Sequence, residues 1–227
     1  MIVHVAGVLT PDQVRHCRET LKTAPWVDGR VTAGEQSGLA KRNLQLPEAA
    51  SEAAALGDVV LRALAASPVF MSAALPLKVY PPLFNRYAEG MGFGDHIDNA
   101  IRTAPVTGAR YRTDLSATLF LSEPEDYEGG GLVFEDGLSA RSVKLPAGDL
   151  VLYPAALVHR VEPVTRGERW ASFFWVQSMV AEDAQRALLH RLDQATASAR
   201  TDLGDAHPAA VALVGVYHNL VRMWAAL

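Results

Sequence analysis

The sequence predicts a mainly β fold with flanking helices, of the α+β class, built on an antiparallel sandwich or barrel. Three observations predict it. Short strand-like runs fill the chain after residue 76, Gly- and Pro-containing turns separate them, and helical patterns lie before and after them. With 227 residues the chain is long enough for one well-cored domain with appendages.

Residues 1–76 form an N-terminal region of helical or mixed structure, which we expect to pack on the core and in which two helices are predicted. The stretch Thr-Pro-Asp-Gln at residues 10–13 combines a capping residue, a proline suited to the first helical position and a glutamine for a capping box. A helix over about residues 11–23 follows, with Cys17 expected as a small buried residue. The Ala- and Leu-rich stretch 47–67 predicts a second helix.

Residues 77–179 carry the predicted β core. Its segments are short, and turn-forming residues separate them, among them those at 135–137 and 146–148. The predicted strands cover residues 77–80, 83–87, 114–121, 131–134, 142–145, 149–153 and 168–177.

Residues 180–227 predict a C-terminal helical extension. One helix is expected over residues 182–199, and Pro208 opens a second, apolar helix to about residue 226. Because these helices are rich in apolar residues, we expect them to pack on the core or on a partner chain. The second possibility predicts a homo-oligomer formed through the C-terminal helices.

The composition excludes several kinds of partner. The formal net charge is −4 with His neutral, so nothing electrostatic favours a nucleic acid or an anionic membrane. With one cysteine no intrachain disulfide is possible, and a reducing compartment is expected. The N-terminus lacks a signal-peptide pattern, and no apolar run is long enough to cross a bilayer. We therefore expect a cytoplasmic protein.

The stretch GFGDHIDNAIR, residues 92–102, places His96 and Asp98 one residue apart. On a strand, residues i and i+2 point to the same face, so these side chains can converge on one point. Imidazole nitrogen and carboxylate oxygen suit a divalent first-row metal. The alternative is a solvent-facing turn, because Asp98-Asn99 is a turn-forming pair.

A third ligand is predicted from the β region. The chain has 7 histidines, and His96 and His159 are the ones in that region. His159 follows a predicted strand and a short loop, where it can face the His96 pair across a sandwich. Two histidines and one carboxylate on one face leave the opposite coordination positions open, as in non-haem Fe(II) oxygenases. Zinc hydrolases use similar triads and remain an alternative at this point.

Arg169 stands at the start of a strongly apolar predicted strand, shortly after His159. A guanidinium near a metal can hold a carboxylate through two parallel hydrogen bonds. This geometry fits a dicarboxylic cosubstrate that chelates iron with its other end. The alternative for Arg169 is a strand-end charge that reaches solvent.

These residues resemble the signature of the Fe(II)- and 2-oxoglutarate-dependent dioxygenases. More specifically, the chain resembles the PKHD-type hydroxylases, a bacterial group related to prolyl and lysyl hydroxylases and often described as iron-uptake factors. The likeness covers nearly the whole chain. The matching pieces are FNRYAEGMGFGDHIDNAIR, LSATLFLSEPEDYEGGGLVFED, LPAGDLVLYPAALVHRVEPVTRGERWASFFWVQS and the helical C-terminal extension.

The resemblance implies a double-stranded β-helix, or distorted jelly roll, over about residues 77–179. It assigns His96, Asp98 and His159 to Fe(II). It assigns Arg169 to the distal carboxylate of 2-oxoglutarate, and it implies L-ascorbate as a reductant. The implied reaction hydroxylates a C–H bond of a small-molecule or peptide substrate with O2 and releases succinate and CO2. It requires no catalytic residue beyond the metal ligands.

One position departs from the pattern of the broad superfamily. Many relatives carry a hydroxyl residue two positions after the arginine, as a second contact to the cosubstrate. Here that position is Ala171, and Ser172 is expected to point to the other face. Tyr87 is the candidate for the second 2-oxoglutarate contact. Its alternative is a core tyrosine with a satisfied hydroxyl.

Two other functions would use the same metal ligands. One is a non-catalytic iron or small-ligand sensor, which has no need of an internal guanidinium such as Arg169. The other is a cupin-like zinc enzyme, which would carry more histidines in the first motif. Residues 99–116 form an Arg-rich stretch that could be either a mobile lid over an acidic or polar substrate or a solvated loop.

Overall fold

The computed structural model describes residues 1–32, 38, 40–135 and 140–227. Two residues of the turn predicted at 135–137 lie outside the described residues. The helices are α1 Pro11–Lys22, α2 Ser51–Ala65, α3 Pro68–Ala74, α4 Asp183–Leu203 and α5 Pro208–Trp224. Short 3₁₀ helices cover Gly29–Thr32 and Pro124–Asp126.

Strands lie between the helices in the N-terminal part of the chain, whereas α4 and α5 follow the last strand. Those before residue 100 are β1 Val3–Val5, β2 Val27–Asp28, β3 Lys41–Arg42, β4 Leu44–Gln45, β5 Pro76–Val79, β6 Leu83–Tyr87 and β7 Gly92–His96. Those of the middle are β8 Ile101–Thr103, β9 Arg110–Arg112, β10 Leu115–Phe120, β11 Tyr127–Gly129, β12 Leu132–Glu135 and β13 Ala140–Val143. The last are β14 Leu150–Pro154, β15 Val158–Val161, β16 Val164–Gly167 and β17 Arg169–Ser178.

The first helix forms as its sequence predicts. The Thr10 hydroxyl accepts a hydrogen bond from the Gln13 backbone N–H at 3.3 Å, and the Gln13 side chain accepts one from the Thr10 N–H at 2.8 Å. This capping box satisfies two backbone donors that the first turn would otherwise leave unpaired. Cys17 is fully buried on the inner face of α1, as predicted.

The single helix predicted over residues 47–67 is wrong at both ends. Ala50 has an extended backbone, so α2 begins only at the next residue. At the other end Ser67 is extended and its hydroxyl accepts a hydrogen bond from the Phe70 N–H at 3.3 Å, which caps the separate helix α3. Pro68 suits the first position of that new helix, because a proline there has no N–H to leave unsatisfied.

Two antiparallel sheets form the β core. In the large sheet the strand order is β1-β14-β10-β17-β6-β4-β2, with β5 also paired to β17. In the small sheet the order is β13-β12-β15-β7-β3. The pairs β11-β16 and β8-β9 lie outside both sheets. This mostly antiparallel arrangement with flanking helices confirms the predicted fold class.

The large sheet is buried on both faces. On β10, Ala117 and Leu119 pack with helix α2 in one apolar cluster. Phe120 points the other way and belongs to a second cluster, which joins it to Leu132 and Val161 of the small sheet. Because side chains alternate along a strand, β10 therefore separates a helix-facing core from a core between the two sheets.

The Arg-rich stretch 99–116 is not simply an irregular solvated loop. It contains the hairpin β8-β9, in which Ile101 pairs with Arg112 and Thr103 with Arg110. Ala104, at the hairpin end, is buried in a cluster with aromatic residues of β17 and its neighbours. The stretch is therefore a folded hairpin that packs against the large sheet.

The C-terminal helices pack on each other, and α4 also packs on α3. Leu189 of α4 is buried with Leu75 and Val180, and residues of α5 cover this cluster. The outer side of α5 keeps Val211 and Met223 exposed. Among the described residues, no single helix is long and apolar enough to cross a membrane, although the bent pair α2-α3, at 86°, meets the length and composition criteria together.

Candidate metal centre and adjoining pocket

Three side chains predicted to bind a metal meet at one point between the sheets. His96 ends β7 and His159 lies on the neighbouring β15, where their Cα atoms face each other in the antiparallel register. One donor atom each from His96, Asp98 and His159 lies within 4.8 Å of the other two. The structure therefore brings together the predicted triad.

The hydrogen bonds of the two histidines direct one nitrogen of each ring toward this point. Nδ1 of His96 lies 2.8 Å from the Gly94 carbonyl, and Nδ1 of His159 lies 2.9 Å from the Leu157 carbonyl. A carbonyl oxygen only accepts, so Nδ1 of each ring carries the proton. Nε2 of each ring is left with the lone pair that a metal needs.

The Asp98 side chain is oriented toward the site differently from the prediction. Strand β7 ends at His96, so Asp98 lies beyond the strand, and strand alternation does not orient it. Instead the Ser116 hydroxyl, on β10 of the opposite sheet, donates a hydrogen bond to Asp98 Oδ2 at 2.5 Å. That oxygen lies 3.8 Å from His159 Nε2. Ser116 therefore fixes the carboxylate, and the sequence reasoning did not nominate it.

Aromatic rings hold the imidazoles in place. Phe93 stacks on His96 with ring centroids 3.6 Å apart and planes 14° apart. Tyr153 meets the edge of His159 at 5.1 Å. Burial, and then the neighbouring His159, lowers the pKa of His96 to about 4. The neutral ring, which is the form that binds a metal, is thus the stable form at ordinary pH.

Arg169 lies in the same cavity but on the opposite sheet, at the start of β17. Its side chain is 1% exposed, and its guanidinium lies 5.4 Å from the ring of Tyr87 and 5.3 Å from that of Phe120. No ion pair among the described residues includes Arg169, and its Nε has no hydrogen-bond partner there. A buried charge without a counter-ion is costly, so the site suits an anionic ligand.

Two tyrosines adjoin the guanidinium. Tyr87 is the cross-strand neighbour of Arg169 and lines the cavity, as the sequence reasoning required of a second cosubstrate contact. Tyr127, which that reasoning missed, is buried and its hydroxyl has no hydrogen-bond partner among the described residues. Burial raises the pKa of Tyr127, while Arg169 acts in the opposite direction. Burial also raises the pKa of Tyr87, so both phenols are neutral beside the cation.

The residues after Arg169 alternate as expected. Ala171 pairs with Phe120 and is buried on the cavity side of β17, where it offers no hydroxyl. Ser172 pairs with Leu119, whose side chain faces the helices. The departure predicted from the sequence is thus present in the fold, and a second contact has to come from another strand.

The cavity encloses about 760 Å³ together with the solvent at its mouth. Asn85 faces it, whereas its neighbour Arg86 pairs with Glu168 outside. Further lining residues that the sequence reasoning did not assign to a site are Lys41, Arg102, Ser116, Thr118 and Tyr153.

Comparison with known proteins decides the family. The model of the 2OG-Fe(II) oxygenase superfamily matches residues 82–177, and that of the PKHD-type hydroxylase C-terminal domain matches residues 183–226. The PKHD-type hydroxylase of Methylobacterium nodulans is 56% identical over 99% of both chains. That of Gluconobacter oxydans is 56% identical over 100% of both. The chain belongs to the PKHD-type hydroxylases.

Solved structures place this PKHD-type hydroxylase in the jelly-roll fold. A prolyl-4-hydroxylase of Pseudomonas putida has a TM-score of 0.51 at 23% identity, over 78% of this chain and 92% of that one. A prolyl hydroxylase of Trichoplax adhaerens has a TM-score of 0.57 at 15% identity, over 82% and 86%. HygX of Streptomyces hygroscopicus, solved with nickel, 2-oxoglutarate and hygromycin B, has a TM-score of 0.53 at 18% identity, over 78% of this chain and 82% of that one. The predicted jelly roll is confirmed.

The donor set of this PKHD-type hydroxylase fits the cofactors of its family. Two imidazoles and one carboxylate on one side of the cavity suit Fe(II) and leave the other side open. The buried Arg169 suits the distal carboxylate of 2-oxoglutarate, because that carboxylate would supply the missing counter-ion. Family membership thus establishes an enzyme of the 2-oxoglutarate–Fe(II) oxygenase type.

Proposed function

We propose that this protein is an Fe(II)- and 2-oxoglutarate-dependent dioxygenase that hydroxylates a C–H bond of its substrate. In the balanced reaction the substrate, 2-oxoglutarate and O2 give the hydroxylated substrate, succinate and CO2. The observation that carries the proposal is the buried Arg169, which shares one cavity with the triad and has no ion pair among the described residues. A metal sensor would have no use for such a cation.

The roles of the side chains follow from their positions. His96 and His159 would hold Fe(II) through Nε2, because their Nδ1 atoms are engaged by backbone carbonyls. Asp98 would supply the third ligand through the carboxylate that Ser116 orients. When bound, the iron and 2-oxoglutarate supply the oxidising chemistry. No side chain is needed as a general base.

At the other end of the cosubstrate, Arg169 would bind the distal carboxylate through its guanidinium. Tyr87 is proposed as the second contact, because it lies across the β6-β17 pair from Arg169. The apolar contacts between the sheets would keep bulk water away from this ion pair and so strengthen it. L-Ascorbate as reductant, a cytoplasmic location and a homo-oligomer through α4 and α5 stay predictions.

The test of the metal site is His96→Ala, with His218→Ala as the matched control. His218 is exposed on α5 and does not line the cavity. Anaerobic titration should show Fe(II) binding at one site in the parent and the control and none in His96→Ala. Succinate formation from 2-oxoglutarate should be lost in parallel. Stoichiometric Fe(II) binding by His96→Ala would refute the proposed triad.

A further inference from the structure

Asn85, on β6, is a buried polar residue of the cavity wall to which the proposed mechanism gives no role. Its side chain is 7% exposed and lines the cavity that holds the triad and Arg169. Its Oδ1 has no hydrogen-bond partner among the described residues. Burying an amide oxygen without a partner costs free energy, so an unpaired amide in a cavity wall points to a ligand that completes its hydrogen bonds.

The register of the large sheet places Asn85 next to the guanidinium. Tyr87 on β6 pairs with Arg169 on β17, and two residues along each strand Asn85 pairs with Ala171. Directly paired residues point to the same face, with Cβ atoms about 5 Å apart, and alternate residues of one strand share that face. Because Ala171 has no hydrogen-bonding side chain, Asn85 is the polar member of the pair beside Arg169.

A ligand that reaches from Arg169 to the metal ligands has to pass this pair. The hydroxyl of Ser116 donates to Asp98, and Ser116 pairs with Trp175 near the far end of β17. On the cavity face of β17, Ala171 is the first residue on the way from Arg169 to Trp175. A carboxylate bound at the guanidinium therefore lies beside the asparagine of that pair.

The hydrogen-bonding groups at this end of the cavity suit a carboxylate. Nε of Arg169 is a donor without a hydrogen-bond partner among the described residues. The amide of Asn85 presents Oδ1 or, after half a turn about its last torsion, Nδ2, which is a donor. The two oxygens of a carboxylate accept several hydrogen bonds, so one carboxylate can accept from the guanidinium and from the amide together.

We propose that Asn85 is a cosubstrate-binding residue, whose Nδ2 donates a hydrogen bond to the distal carboxylate of 2-oxoglutarate beside Arg169. The inference rests on the proposed function and deepens it. Arg169 supplies the charge, and the amide on the neighbouring strand fixes the orientation of the carboxylate. Both contacts favour a dicarboxylic oxo acid over a monocarboxylic one, because the latter would leave these buried polar groups unpaired.

The experiment measures cosubstrate affinity anaerobically, from the absorbance of the Fe(II) chelate. The probes are 2-oxoglutarate and 2-oxopentanoate, which has a methyl group in place of the distal carboxylate and is titrated to millimolar concentration. Asn85→Leu keeps the volume and removes the amide. It should bind 2-oxoglutarate about 10- to 100-fold more weakly, as expected for a lost hydrogen bond to a charged group, and 2-oxopentanoate as the parent does.

Two further variants complete the experiment. Asn219→Leu, at an exposed asparagine on α5, is the control and should match the parent with both probes. Asn85→Ala has a smaller side chain and should show the same selective loss as Asn85→Leu. An asparagine that served only to hold its paired residue Gln45 on β4 would instead weaken both probes alike when replaced.

Fe(II) and 2-oxoglutarate binding are measured first on the parent. If the parent fails to bind either of them, the proposed function fails and the role of Asn85 fails with it. If the parent binds both, three results refute the role of Asn85 alone. They are unchanged 2-oxoglutarate affinity in the two Asn85 variants, an equal loss for both probes, and loss of Fe(II) binding by both variants.

Discussion

Replacing Arg169 by methionine is expected to abolish tight 2-oxoglutarate binding without destabilising the ligand-free protein. The two effects have separate physical origins. Removing one member of a buried, hydrogen-bonded ion pair costs about 2–5 kcal/mol, or about 30-fold to 5000-fold in affinity. The side chain is 1% exposed, so water cannot take the place of the guanidinium.

The stability of the ligand-free protein follows from what Arg169 contacts. The guanidinium lies over the rings of Tyr87 and Phe120, and each such contact is worth about 0.5–2 kcal/mol. Against this stands the desolvation of a buried cation, on the order of several kcal/mol. Methionine keeps much of the volume and removes the charge. We expect the free energy of unfolding without ligand to stay unchanged or to rise by about 1–2 kcal/mol.

Two assays separate these effects. The absorbance of the anaerobic Fe(II)–2-oxoglutarate chelate gives the cosubstrate affinity, and urea unfolding of the ligand-free protein gives the stability. Arg166→Met, an exposed arginine on β16, is the control and should behave as the parent in both. An unchanged 2-oxoglutarate affinity in Arg169→Met would remove its assigned role. A loss of more than about 2 kcal/mol without ligand would show instead that Arg169 is a structural residue.

The remaining predictions concern other parts of the molecule. Ser116→Ala should weaken Fe(II) binding about 10- to 100-fold, because it removes the hydrogen bond that orients the Asp98 carboxylate. Metal titration measures this, with Ser198→Ala as the control, and equal Fe(II) affinity in the two variants would refute the role of Ser116. Burial raises the pKa of the Cys17 thiol to about 11, so a thiol reagent at pH 8 should modify only unfolded protein, and rapid modification of native protein would contradict this. Truncation after Gln177 should uncover Leu75 and lower the solubility or change the assembly state, whereas a soluble protein of unchanged assembly would rule out a packing role for α4 and α5.

The long strands could be predicted from the sequence, while the short ones could not. Strands such as β6 and β17 carry enough apolar and aromatic residues between turns to be located, β6 at its observed bounds. In contrast β3 and β4 have two residues each, which is too few for any period to show. Their partners on β6 and β7 define them, and no local pattern reveals such a pairing.

In the site, too, some residues could be predicted from the sequence and others could not. His96, Asp98 and His159 could be nominated because their residue types are chemically specific and suit one metal ion. Ser116 is 18 residues from Asp98 in sequence, and a serine on a strand gives no signal of its own. Lys41 lies in the N-terminal region that was expected only to pack on the core. Its place in the cavity depends on the pairing of β3 with β7.

The location of the site between two sheets explains why residue types alone were not enough. His96 and His159 belong to the small sheet, whereas Arg169 and Ser116 belong to the large one. The distance between the His96–Asp98–His159 triad and the Arg169 guanidinium is therefore set by the packing of Phe120 and its cluster between the sheets, not by the spacing of residues in the chain. A change in that packing would move the guanidinium relative to the proposed metal ligands without altering any of these side chains. Loss of cosubstrate affinity with retained metal affinity is thus the expected signature of damage to the core between the sheets.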